Sequence, residues 1–135
     1  VLDPVSFKTS YLTMAPFMEE DGKFTMEEIG KMSLHGVNLV TLSACNTAVN
    51  ENNAKGWINN PAKQFLKKGA KSVLASLWMV DDEATSKLML YFYEYLKEGK
   101  IRSEALKLAQ KKLLEEPKFS HPYYWSAFEL IGEWR

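Results

Sequence analysis

An α/β fold is predicted by three features of this sequence. Two short apolar runs rich in strand-forming residues, Val37–Leu42 and Ser72–Trp78, read as buried strands. Between them lies a helical pattern, Pro61–Lys68, so strand, helix and strand follow in the order of a right-handed parallel crossover. Two longer amphipathic patterns then run from about Glu83 to Lys97 and from Ser103 to Leu114.

Taken in order, Val1–Ser10 carries Asp3-Pro4 and scattered polar residues and reads as a loop. Ser10–Ala15 alternates well enough for a short strand, and Glu20-Asp21-Gly22-Lys23 is a turn signal. Phe24–Ile29 starts a helix, with Thr25 as cap and Glu28 three residues on completing a capping box. Gly30 and Gly36 confine that helix to a few turns. The run Val37–Thr47 follows, and Asn46–Asn60 is an Asn- and Gly-containing loop without periodicity, long enough to suggest function. Gly69 closes the Pro61–Lys68 helix, whose last turn is rich in lysine. The near-continuous apolar character of Ser72–Trp78 suits a central strand covered on both faces. Asp81-Asp82-Glu83 sets negative charge at the head of the next helix, whose stripe is Leu88, Tyr91, Phe92 and Tyr95 and which Gly99 stops. Ser103 is expected to cap the helix after it, with Leu106, Ala109 and Leu113 inward and Pro117 as terminator. His121–Trp125 is an aromatic turn and Ala127–Gly132 a last short strand.

The totals bound the function. A chain of 135 residues fits one domain with a single core. Its 17 basic and 17 acidic residues cancel without a basic stripe, which argues against a nucleic-acid surface. One cysteine forms no internal disulfide, and with two separated histidines it makes no ordinary structural zinc site, so no metal is expected and a reducing, cytoplasmic setting fits best. No apolar run is long enough for a membrane span, and no Gly-rich phosphate loop follows a strand, so no cofactor is expected either.

The lone thiol has two readings. Ser43-Ala44-Cys45 closes a strand run, and strand ends are where reacting groups gather in open α/β sheets. Cys45 is then a nucleophile; otherwise it is a small buried hydrophobe.

Three motifs bear on that choice. Leu39-Val40-Thr41-Leu42-Ser43-Ala44-Cys45-Asn46-Thr47 resembles the Leu-Ser-Ala-Cys-Glu-Thr-Gly signature of CHAT domains, relatives of caspases and separases. Ala70–Asp82 resembles their Gly-Ala-Arg-Ser-Val-Val-Ala-Ser-Leu-Trp-x-Val-Asp-Asp block, and His121–Phe128 their closing His-Pro-Tyr-Tyr-Trp-Ala-Ala-Phe. The resemblance covers nearly the whole chain. It implies that residues 1–135 are the C-terminal portion of one caspase-like peptidase domain, a three-layer sandwich around a mostly parallel sheet. It implies a cysteine endopeptidase with Cys45 as catalytic residue, acting on a protein or peptide partner. Asn46 stands for the usual Glu and Ala48 for the usual Gly, which keeps open an alternative: a catalytically dead scaffold or interaction module.

The family's catalytic histidine lies in a His-Gly pair before a segment like Val1-Leu2-Asp3-Pro4. The expectation is therefore that the general base comes from an N-terminal remainder, in this family often joined to helical repeats, and that the chain alone is inactive. His35 is expected at the far end of the sheet from the thiol, and His121 as a structural hydrogen-bonding group. By the same resemblance Asp82, with Asp81 beside it, is expected to receive a basic residue preceding the scissile bond. Ser76, Leu77 and Trp78 correspond to the segment that pairs with an extended substrate. Helix capping is the plain alternative for the two aspartates, and core packing for Trp78.

Overall fold

The computed structural model of the chain describes residues 11–13, 23–43 and 61–135. Strands β1 (Tyr11–Thr13) and β2 (Lys23–Thr25) form an antiparallel pair in which Leu12 faces Phe24 in register. Helix α1 (Met26–Lys31) starts directly from β2, so Phe24, which the sequence reads into the helix start, belongs to the strand. Thr25 caps it as expected: its Oγ1 accepts from the Glu28 N–H at 3.2 Å, and the Glu28 carboxylate accepts from the Thr25 N–H at 2.7 Å. Met26 and Ile29, three apart on one face, are fully buried.

Three further strands make a second sheet in the order β3 (Val40–Leu42), β4 (Ser72–Ser76), β5 (Phe128–Gly132). Helix α2 (Pro61–Lys67) lies between β3 and β4 in the chain, and these two strands run parallel with Val40 opposite Val73 and Leu42 opposite Ala75. Gly69, at φ 107°, turns the chain from α2 towards β4. Every residue of β4 is buried, as its apolar run predicts. Its alternation divides the interior. Leu74 packs with Val80, Leu88, Phe92, Leu106 and Leu113, on the face covered by the two long helices. Val73 and Ala75 pack with Met26, Ile29, Leu42, Ala62 and Phe65, on the face covered by α1 and α2.

The sheet is mixed among the described residues, because β5 pairs with β4 antiparallel, from Ser72 opposite Gly132 to Ser76 opposite Phe128. A mostly parallel sheet needs one helix between successive strands. Here two intervene, α3 (Asp82–Lys97) and α4 (Arg102–Leu114). They run antiparallel, as the pairing of Glu94 with Lys112 and of Lys87 with Glu116 requires. The chain therefore returns to the end of β4 it left, and β5 has to run backwards from there. Ser103 does not cap α4. The helix begins one residue earlier, behind Ile101, which offers no side-chain cap, and the Ser103 N–H donates instead to the carbonyl of Trp134 at 3.1 Å. Pro117 opens a 3-10 turn, Pro117–Phe119, that buries Phe119 against the α3–α4 core. Helix α5 (Pro122–Trp125) then leads into β5. Gly132 closes the strand at φ 99°, and a Cβ there would lie 2.5 Å from the Lys71 carbonyl oxygen.

One carboxylate ties the helical layer together. Glu116 accepts from Lys87 Nζ and, at 2.5 Å, from the Tyr91 hydroxyl. The Lys87 hydrogen bond first, then that of Tyr91, hold its carboxyl below the ordinary carboxylate range, while the same contact pushes the Tyr91 hydroxyl up. A depressed carboxylate stabilises the fold above its unfolded titration range, and that contribution is lost as pH falls through the lower, folded value. Glu116→Gln is expected to lower Tm at pH 7 by about 3–5 °C, corresponding to about 1 kcal/mol. In thermal melts the gap to the unsubstituted chain should close towards pH 3; a gap of constant size at acid pH would refute the linkage.

Candidate functional site

The register of the second sheet determines which segments meet. Leu42 pairs with Ala75 and Ser76 with Phe128, so β3 and β4 end together, beside the start of β5. The three motifs of the sequence converge on this end of the sheet. Ser43 is the last described residue after β3 and is exposed. Cys45 lies two positions further on, outside the described residues, as does the loop Asn46–Asn60.

The segment after β4 is described in full. Ser76 is 2% exposed, so its side chain belongs to the interior. The Leu77 N–H donates to the Ala127 carbonyl at 2.8 Å and is thereby engaged. Trp78 is half-buried at the rim of the α3–α4 core, and its Nε1–H donates to the Tyr123 carbonyl at 3.1 Å. The rings of Trp78 and Tyr123 stack with centroids 6.4 Å apart and 27° between planes. The Tyr123 hydroxyl in turn donates to the Met79 carbonyl. Leu77–Met79 is thus fastened to α5 and the start of β5 by backbone, ring and hydroxyl together. Met79 itself is 63% exposed and Tyr123 46%.

The acidic cluster at the head of α3 divides by role. Asp81 is the N-cap: its Oδ1 accepts from the Glu83 and Ala84 N–H groups, each at 3.1 Å. Glu83 pairs with Lys118, whose amine is pushed up chiefly by that hydrogen bond. Asp82 occupies the first helical position, is exposed, and its carboxylate makes no hydrogen bond or ion pair among the described residues. Capping therefore accounts for Asp81 but not for Asp82.

A family model of the CHAT domain matches residues 3–133. This chain belongs to the CHAT domain family. Among curated proteins it is similar to Tetratricopeptide repeat protein 28 of Mus musculus, at 36% identity over 96 residues, and to Tetratricopeptide repeat protein 28 of Homo sapiens, at 38% over 96 residues. Each alignment takes in 71% of this chain and 4% of the relative, so the chain spans a small part of the length of those proteins.

Within this CHAT domain the two histidines lie where their sequence positions imply. His35 sits in the turn before β3, with Nδ1 2.9 Å from where a Cβ on Gly69 would be, at the opposite end of the sheet from Ser43. His121 is the N-cap of α5, its Nδ1 accepting from the Tyr123 N–H at 3.2 Å. Leu88 and Phe92 are core, with Tyr91 and Tyr95 packed against them. Among the described residues no three His, Cys, Asp or Glu side chains gather as for a metal ion, and no helix is long and apolar enough to cross a membrane.

Sequence reasoning missed Tyr123 as the residue that holds the post-β4 segment. Its motif is separated from Trp78 by 45 positions, and nothing local announces the stack. Tyr123→Phe keeps the ring and removes the bond to the Met79 carbonyl, and is expected to cost about 1 kcal/mol. Tyr123→Ala also uncovers Trp78 and should cost more than that in denaturant unfolding. Equal costs for the two variants would mean that the stack contributes nothing.

Proposed function

We propose that this CHAT domain carries the nucleophile half of a cysteine endopeptidase that cuts a protein partner after Arg or Lys. The Cys45 thiolate attacks the scissile carbonyl carbon, and the tetrahedral oxyanion is met by the Cys45 N–H. A histidine contributed from sequence outside Val1–Arg135 protonates the leaving amine, leaving a thioester on Sγ. The same imidazole then takes a proton from water, which displaces the thiolate and frees the carboxylate product. Asp82 receives the basic side chain that precedes the cut. Trp78 and the backbone around it flank the extended peptide, with the Leu77 N–H reserved for Ala127. Such chemistry belongs in a reducing, cytoplasmic setting, where the thiol stays free. A tetratricopeptide-like repeat region alongside the domain, as the relatives' names suggest, is the natural candidate for engaging the partner.

The observation that carries this reading is the carboxylate of Asp82, exposed and without a hydrogen bond or ion pair among the described residues, four positions past the half-buried Trp78, in a chain matched to the CHAT family over residues 3–133. A carboxylate with no partner among the described residues, a few positions after a segment fastened by hydrogen bonds, suits an incoming cation.

An acyloxymethyl ketone bearing Arg tests it on the protein that contains this chain with its natural N-terminal sequence. Covalent labelling is expected, abolished by Cys45→Ala. Asp82→Asn should cut the preference for Arg over a neutral side chain by at least about tenfold, the worth of one charged hydrogen bond. Absence of labelling under every condition tried, with the protein folded, would favour the scaffold reading, and an unchanged preference would remove Asp82 from the pocket.

A further inference from the structure

We propose that His121 is a proton-sensitive latch on the segment Leu77–Val80. The lone pair on its Nδ1 holds the Tyr123 N–H at 3.2 Å, and that bond is the N-cap of α5. An imidazole caps a helix only while this nitrogen is unprotonated. A proton on Nδ1 turns the acceptor into a donor, breaks the bond and sets a cation against the N–H groups at the start of the helix. Asn and Ser, two of the usual caps, carry no ionisable group and so no such switch.

What makes this more than a local event is the load on Tyr123. The residue whose N–H is capped also supplies the carbonyl that accepts from Trp78 Nε1, the ring stacked on Trp78 and the hydroxyl bonded to the Met79 carbonyl. Four interactions pass through one residue, and His121 governs the first. Released from its cap, Tyr123 loosens Trp78 and Met79 with it, and so the chain leading into Asp81 and Asp82. The ring reads solvent directly: His121 is exposed, and among the described residues its side chain makes no other hydrogen bond or ion pair. The charged groups on the elements packed around α5 are engaged elsewhere. Lys118 of the 3-10 turn pairs with Glu83, Lys87 of α3 with Glu116, Lys112 of α4 with Glu94, and Asp81 caps α3. Asp82, Lys111 and Glu115 are exposed.

Hydrogen–deuterium exchange at pH 7.5 and pH 5.0, corrected for intrinsic exchange, tests the latch on the whole protein. It requires no catalysis, so its outcome is independent of the endopeptidase reading. Peptides covering Leu77–Val80 and His121–Trp125 should lose protection about fivefold on acidification, the opening expected from loss of one cap. Peptides from the α3–α4 core should not. His121→Asn restores a cap that accepts at both pH values, and should keep both segments protected at pH 5.0. His121→Ser, a cap of different shape, is the second variant should Asn not fold. An acid response of the same size with either cap, or none in the unsubstituted protein, would overturn the proposal.

Discussion

The complete burial of β4 is the constraint on which the rest of this CHAT domain depends. A strand with no exposed residue has to be covered on both faces, and its period of two then allots each side chain to one layer. Leu74 commits α3 and α4 to one face, while Val73 and Ala75 commit α1 and α2 to the other. A slip of one residue would exchange these sets, so the register with β3 and β5 is strongly specified. That register is also what brings the end of β3, the end of β4 and the start of β5 to one place. Packing and site geometry are here one decision.

Around that place, rigidity and availability are divided between neighbours. Ser76 is interior, the Leu77 N–H is committed, and Trp78 is held by Tyr123. Asp81 is spent on the helix and Glu83 on Lys118, which leaves Asp82 as the carboxylate of the cluster facing solvent without a partner among the described residues. A side chain on fixed backbone loses less freedom on meeting a ligand than one on a mobile segment would.

Much of this was legible in the residues, and the reasons are physical. Periodicity reports burial, so the β4 run and the Leu88–Phe92 stripe announced the central strand and the core helix. Capping is local, so Thr25 with Glu28, and Asp81, could be read directly. Pairing direction is not local. Nothing in Phe128–Gly132 says that β5 runs against β4; that follows from the helix pair in front of it. The start of α4 was misjudged at Ser103 because the Ser103 N–H is satisfied by the distant Trp134 carbonyl, which no window around Ser103 contains. The clamp of Tyr123 on Trp78 was hidden for the same reason. At the candidate site, the Asp81 cap was legible locally, whereas separating Asp82 from that role needed the hydrogen-bond partners. The CHAT family itself was legible, because each of its three motifs is a continuous run of the sequence.

The central claim is that the β3–β4 register brings the end of β3, three positions before the sole cysteine of the chain, alongside the end of β4, two positions before Trp78. The most direct measurement attaches bimane to Cys45 and reads its emission, which a nearby indole quenches. The account predicts strong quenching that is relieved by Trp78→Phe and not by Trp134→Phe. Emission indifferent to Trp78→Phe in the folded protein would contradict it.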